Sequence, residues 1–222
     1  MTWAIVPLKS PEQAKSRLSA ALAPAERVAL FFSMARHVIR TVRESRGVSG
    51  AIVVTSSSEI AEFAKAMECR VVLQSEDAGT SSAFEAGVAQ ACAEGLSDLL
   101  MLPGDLPLLS RKAVERFMRS SGRPASVTIA PDESGHGTNA LLCSPPDAIP
   151  LSFGPASFHL HVAAARQRGA ALQIVKLREL AFDVDRQSDL DRLPGSFKVV
   201  AHLPEQGLSR LRHTVAEQRP AV

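Results

Sequence analysis

The chain has 222 residues, 45% of them hydrophobic and 22% charged, the profile of one ordinary globular domain able to bury a sizeable core. A net charge of +2, with cations interspersed among acids, excludes the concentrated basic face of a nucleic-acid binder; the lack of tyrosine and the single tryptophan exclude an aromatic platform for stacking bases. Cys69, Cys92 and Cys143 form no CxxC pair, so neither a zinc site nor a disulfide framework is expected.

The first apolar run, Trp3 to Leu8, is too short for a signal-peptide core or a membrane span, and Lys9 follows it; a cytosolic chain without a membrane partner is expected. Residues 4–18, AIVPLKSPEQAKSRL, read as a short strand feeding a loop that carries Lys9, Lys15 and Arg17. Cations placed there suit a polyanion above the carboxyl edge of an α/β sheet, a nucleoside triphosphate being the candidate. The competing reading is a solvated, helix-capping surface.

Pro24 to Arg46 opens with proline and Glu26 in the first turn, repeats apolar residues at helical spacing and ends in basic residues, with Gly47 as its C-cap candidate. The segments 51–55 (AIVVT), 70–73 (RVVL), 98–102 (DLLML) and 126–130 (SVTIA) are apolar on nearly consecutive positions, as expected of central parallel strands buried on both faces. Ser57 to Met67 and Ser82 to Glu94 read as crossover helices between them. The βαβαβα order predicts an α/β fold with a Rossmann-like, doubly wound, mostly parallel sheet that binds ligands above its strand C-termini.

From Asp132 the rhythm changes. A loop dense in turn formers (PDESGHGTN) leads to a strand at 140–143 and then to a helix from Ser157 to Arg168, predicting a mixed or antiparallel edge and an acceptor pocket. Gln173 to Leu177 and Leu180 to Val184 are strand-like, and Ser188 is the expected N-cap of a short helix. The expected organisation is a single domain over 1–222, with a core over about 1–194 and a C-terminal extension. Within that extension an amphipathic helix from Glu205 to Glu217 is expected. It packs on its own domain, the commoner outcome, or on a second copy in a homodimer.

The chemistry sits at strand ends. In MLPGDLPLL, Asp105 falls just past the fourth strand, badly placed for core packing and well placed for a metal. In AFDVD, Asp183 and Asp185 are two residues apart, so extended backbone projects both carboxylates to one side. With Asp105 they could hold Mg²⁺, which takes a few carboxylates, waters and phosphate oxygens. An Asx turn at Asp105 and a cap into the following helix at Asp183 and Asp185 are the structural alternatives. There is no GxxxxGK[ST] loop, no GxGxxG after the first strand, no HExxH and no GxSxG elbow. Of the six histidines, His161 is the one to check.

VPLKSPEQAKSRL, PGDLPLL, GTNALL, FGPASF followed by His161, and FDVD, in this order over residues 3–193, resemble the 2-phospho-L-lactate guanylyltransferases of deazaflavin coenzyme biosynthesis, the CofC/FbiD family. The resemblance implies a nucleotidyltransferase fold of the GT-A-like type, similar to molybdenum-cofactor guanylyltransferases and sugar-phosphate nucleotidyltransferases. It implies transfer of GMP from GTP, with Mg²⁺, to phospholactate, phosphoenolpyruvate or 3-phospho-D-glycerate in coenzyme F-420 biosynthesis, and a downstream transferase that uses the product.

Carried over to this chain, the resemblance implies that Asp105, Asp183 and Asp185 hold catalytic metal. Thr138, Gly154 and Ser157 would contact the acceptor, with Asn139 beside them. Lys9, Lys15 and Arg17 would meet the triphosphate and the departing pyrophosphate. Gly104, Ser81 and Ser82 would lie along the nucleotide. Where the family has a Gly-Leu-Asn stretch before the third crossover helix, this chain has Gly79-Thr80-Ser81-Ser82, and hydroxyls lack the paired donor and acceptor of an asparagine amide. The helix opening at Ser157 is expected to offer backbone N–H groups to the acceptor's anion. Two alternatives stay open: another nucleotidyltransferase, such as a molybdenum-cofactor guanylyltransferase, and a non-catalytic GTP-sensing domain.

Overall fold

The computed structural model describes residues 1–11, 15–119 and 125–200, and shows one seven-stranded sheet between two helical layers. In chain order the strands are β1 (Thr2–Pro7), β2 (Val48–Thr55), β3 (Arg70–Leu73), β4 (Asp98–Met101), β5 (Ser126–Pro131), β6 (Thr138–Ser144) and β7 (Ala171–Ile174). The helices are α1 (Pro24–Arg43), α2 (Ser58–Ala66), α3 (Thr80–Ala93), α4 (Arg111–Arg119), α5 (Ser157–Gln167), α6 (Arg178–Ala181), α7 (Gln187–Leu190) and α8 (Gly195–Val200).

Strand order is β3-β2-β1-β4-β6-β5-β7. β1, β2, β3 and β4 pair in parallel, β6 runs antiparallel to both β4 and β5, and β7 is parallel to β5. The sheet is therefore mostly parallel, and its mixed part is the β6-β5-β7 side.

Side chains alternate between the two faces of each central strand, and here both faces are apolar. Ala4, Val6, Ala51, Val53 and Leu100 pack against α1, α2 and α4 through Phe32, Ala35, Val38, Ile60, Val114 and Phe117. Ile5, Ile52, Val54, Leu99 and Met101 face the other way, against Phe84 and Ala91 of α3 and Ala165 of α5. That two-sided burial is why the strands read as unbroken apolar runs.

The exceptions are instructive. The segment 70–73 is an edge strand with exposed Arg70 and Leu73, not a central one; its three aliphatics reflect β-propensity without two-sided burial. The strand at 126–130 is central, but its neighbours are antiparallel β6 and parallel β7. Leu180 to Val184 forms no strand: Arg178–Ala181 is a helical turn, and the residues after it run on outside the sheet. The short helix α7 starts two residues earlier than an N-cap at Ser188 implies, at Gln187, and its opening amides are held by the Asp189 carboxylate, which accepts from the N–H groups of Asp185 and Arg186 (3.0 and 2.7 Å). The expected helix at 205–217 lies outside the described residues.

Candidate functional site: three carboxylates beside a cation-lined cavity

A third apolar cluster builds the site. In the run Phe182-Asp183-Val184-Asp185, Phe182 and Val184 are buried against Leu18, Leu30, Met34 and Leu193, so the alternation of extended backbone turns the two aspartates the opposite way. Leu18 belongs to the 3₁₀ turn Ser16–Leu18 that ends the basic loop. One cluster thus fixes the acidic segment, the basic loop and α1 to each other.

Asp105 arrives from the other side, on the turn after β4. Gly104 precedes it at a close approach: a Cβ there would stand 2.4 Å from Leu8 Cδ2. A side chain at this position would have to push the Leu8 side chain aside. One carboxylate oxygen from each of Asp105, Asp183 and Asp185 falls within 4.8 Å of the others.

These carboxylates have a cation among them. Lys15 Nζ lies 2.5 Å from Asp105 Oδ2, 2.5 Å from the Val184 carbonyl and 3.5 Å from Asp185 Oδ1. Arg17 reaches Asp185 Oδ2 at 3.1 Å. Burial pulls the Lys15 ammonium down, but Asp105, Asp185 and Asp183 more than offset it and hold it above its ordinary range. Asp183 goes the other way for an acid: burial first, then the neighbouring Asp105 charge, push its carboxyl up to about 6.

A divalent cation fits this donor set on three grounds. The ligand atoms are hard carboxylate oxygens that converge from two segments. Asp105 Oδ1 is buried with no hydrogen-bond partner. The ammonium of Lys15 already stands in for positive charge at the place where the carboxylates converge.

Beside the carboxylates, a cavity of about 410 Å³ opens over the carboxyl ends of β1 to β4. Lys9, Lys15, Arg17, Gly104, Asp105 and Asp185 all line it, so the structure brings the basic loop and two of the three aspartates to one space. Lys9 stands further along, half exposed and paired with Asp77 at 3.4 Å. Sequence reasoning missed Thr55, Ser56, Gln74 and Asp77 on the cavity wall. The available signal was position: Thr55 and Ser56 close one expected strand, and Gln74 immediately follows another.

Other expected residues stand elsewhere. Gly79 and Thr80 line the cavity, whereas Ser81 and Ser82 are not among the lining residues. The Ser81 hydroxyl is bonded to the backbone of Phe153, accepting from its N–H (2.8 Å) and donating to its carbonyl (3.1 Å). Asn139 serves the acidic segment: its amide donates to the Ala181 carbonyl (3.0 Å) and to Asp183 Oδ1 (3.2 Å).

Thr138 is bonded to His161, which sits on the helix that opens at Ser157, three residues after Gly154. Gly154 has φ +128, in the region that favours glycine, and turns the chain so that its carbonyl accepts the Ser157 N–H at 3.1 Å. Phe158 N–H donates to the His136 carbonyl at 2.9 Å. Two N–H groups at the start of α5, those of Ser157 and Phe158, are therefore committed within the protein, which narrows what this helix start can offer to an anion. His161 is fully buried, bonded to Thr138 through Nδ1 (3.0 Å) and to the Ser152 N–H through Nε2 (3.0 Å). Burial pulls its pKa down to about 4.

Among the described residues no helix is long and apolar enough to cross a membrane. A family model described as "Guanylyl transferase CofC like" matches residues 2–196. The chain is 39% identical over 194 residues to a phosphoenolpyruvate guanylyltransferase of Rubrobacter xylanophilus, covering 87% of this chain and 94% of that protein. It is 30% identical over 192 residues to a 2-phospho-L-lactate guanylyltransferase of Methanothermobacter thermautotrophicus (86% and 83% covered). It is also 30% identical over 189 residues to a 3-phospho-D-glycerate guanylyltransferase of Colwellia psychrerythraea (85% and 89% covered). Among solved structures, a protein of Desulfovibrio desulfuricans G20 assigned as a nucleotide-diphospho-sugar transferase superimposes with a TM-score of 0.71 at 14% identity, over 98% of this chain and 97% of that one. At that identity the likeness is one of fold.

Proposed function

Because the chain belongs to the CofC-like guanylyltransferase family, we propose that it transfers GMP from GTP to the phosphate of phosphoenolpyruvate, with release of pyrophosphate. Phospho-L-lactate and 3-phospho-D-glycerate, each the acceptor in the name of a 30%-identical relative, are the competing substrates. The observation that supports this reading most is the convergence of Asp105, Asp183 and Asp185 beside a cavity lined by Lys9, Lys15 and Arg17.

In this reading the cavity takes GTP, and the three aspartates hold Mg²⁺, which neutralises charge on phosphate oxygens when bound. Lys9 and Arg17 lie along the triphosphate, where they would bind and orient it. An acceptor phosphate is largely a dianion at neutral pH, its second pKa being about 6, so it attacks the α-phosphorus without a general base. The new bond joins the acceptor oxygen to the α-phosphorus, the bond from the α-phosphorus to the bridging oxygen breaks, and its electrons leave on pyrophosphate. The chain's task is alignment and charge, not proton transfer. A buried, neutral His161 is in keeping with that.

The product would be an acid activated for a downstream transferase in coenzyme F-420 biosynthesis, in the cytoplasm. The test is pyrophosphate release from GTP with each of the three acceptors, with and without Mg²⁺. Phosphoenolpyruvate should give the highest kcat/KM, and release only with Mg²⁺ is expected; no release with any acceptor despite GTP binding would mark a sensor.

A further inference from the structure

His161 is not among the residues that line the cavity, yet it bonds Thr138 and the loop that leads to Gly154, and it sits on the helix that opens at Ser157. Its ring nitrogens bond Thr138, at the start of β6, and Ser152, in the loop that leads to Gly154; the ring itself sits on α5, four residues after Ser157. Phe153 packs edge-on against it, with ring centroids 4.9 Å apart, and the backbone of Phe153 is pinned in turn by the Ser81 hydroxyl.

The two hydrogen bonds fix the ring's tautomer. A backbone N–H can only donate, so Nε2, which faces the Ser152 N–H, must carry a lone pair. The ring is fully buried and held neutral, so its one proton is on Nδ1. Nδ1 therefore donates to Thr138 Oγ1.

That direction decides what Thr138 can offer. A hydroxyl has one proton and two lone pairs. If Thr138 donated to the ring, it would turn only lone pairs to a ligand and repel an anion. Because it accepts from the ring, its own proton is left for another acceptor, and none of the hydrogen bonds formed by the described residues uses it. We propose that His161 is a positioning residue for the acceptor: its Nδ1–H holds the Thr138 hydroxyl so that the hydroxyl proton points to the acceptor's phosphate or carboxylate. The inference rests on Thr138 contacting the acceptor, and it assigns a role in specificity for anions to a residue that never touches one.

The test pairs two substitutions in the full chain with the best acceptor from the pyrophosphate assay. His161→Asn keeps a donor near the Nδ1 position and loses the acceptor for Ser152. His161→Gln keeps an acceptor near Nε2 and loses the donor to Thr138. His161→Gln should raise the acceptor KM about tenfold, the usual consequence of losing a hydrogen bond to a charged group. GTP KM should stay unchanged, and His161→Asn should stay within about threefold of wild type, a factor well inside that loss.

Thr138→Val, which removes the hydroxyl, should raise acceptor KM about as much as His161→Gln, and the double variant should be no worse than Thr138→Val alone, since one interaction cannot be lost twice. An unchanged acceptor KM in Thr138→Val would remove Thr138 from the acceptor site and the inference with it. A raised KM in Thr138→Val with equal effects of the two His161 variants would overturn the inference while leaving the acceptor site in place. Should the variants fail to fold, long-range ¹H–¹⁵N correlation spectra of the wild-type protein report the ring directly; a proton on Nε2 of His161 would overturn the assignment.

Discussion

Lys15 Nζ lies 2.5 Å from Asp105 Oδ2, so the cation closest to the carboxylate trio is supplied by the chain itself. The Lys15 side chain keeps only 8% of its surface and that of Asp105 24%, which places the pair in a medium where an uncompensated charge is costly. In the proposed reading, a divalent ion held by Asp105, Asp183 and Asp185 would compete with this ammonium for the same carboxylates. Their competition gives the first expectation.

Lys15→Met should destabilise the protein in the absence of divalent ions by about 2 kcal/mol, below the usual cost of breaking a fully buried pair because Asp105 retains some solvent contact. Mg²⁺ should then restore more stability to the variant than it adds to wild type, since no ammonium has to be displaced. Thermal unfolding with and without Mg²⁺ reads both terms. An equal Mg²⁺ increment in the two proteins would mean that Lys15 and the ion do not share a site.

Asp105→Ala should abolish detectable pyrophosphate release while weakening GTP binding by less than about tenfold, because the lost charge acts on the transferring phosphate more than on the nucleotide as a whole. Calorimetric GTP titration beside the turnover assay separates the two. Near-normal turnover would remove Asp105 from the mechanism.

How much of this site could be read in the sequence depended on what kind of signal each residue carries. Asp105, Asp183 and Asp185 were legible because a carboxylate at a strand end, or alternating with Phe182 and Val184, has no packing role and a fixed direction. The strands were legible as elements because two-sided burial leaves unbroken apolar runs, but a run of three aliphatics at Val71 to Leu73 gave no sign that β3 sits at the edge. Leu180 to Val184 looked like a strand because alternation toward the third cluster mimics alternation toward a sheet. The resemblance sets Ser81 along the nucleotide and Asn139 beside the acceptor; their partners within the chain, the Phe153 backbone and Asp183, come from segments tens of residues away and leave no local trace.

Acid should unfold the protein partly through His161. The ring titrates near 6.5 when exposed, and burial lowers it to about 4 in the folded chain. A depressed folded pKa stabilises above the unfolded value and loses that contribution as pH falls through the folded one, so the window is pH 6.5 down to 4. The shift corresponds to about 3 kcal/mol in all, of which about 2 kcal/mol is gone by pH 5. His161→Asn lacks the titrating group, so its deficit relative to wild type in denaturant titrations should shrink by about that amount between pH 7.5 and pH 5. A constant deficit across this range would show that the ring does not titrate as a buried neutral histidine.

In the proposed reading, Asn139 offers a way to loosen the metal site without removing a carboxylate. Its amide donates to Asp183 Oδ1 at 3.2 Å and ties the same segment through the Ala181 carbonyl at 3.0 Å. Burial and the Asp105 charge already disfavour the ionised form of Asp183, and the Asn139 hydrogen bond is one of the few contacts that favour it. Asn139→Ala should therefore leave Asp183 in place on its apolar anchors, Phe182 and Val184, but with a carboxylate less ready to ionise and less well aimed. Partners of this kind typically matter by 10- to 100-fold in metal affinity, so the Mg²⁺ concentration for half-maximal turnover should rise by about tenfold. Turnover at saturating Mg²⁺ should recover most of the wild-type rate, which distinguishes loss of aim from loss of a ligand. A variant with reduced maximal rate and an unchanged Mg²⁺ midpoint would place Asn139 at the acceptor instead of behind the metal.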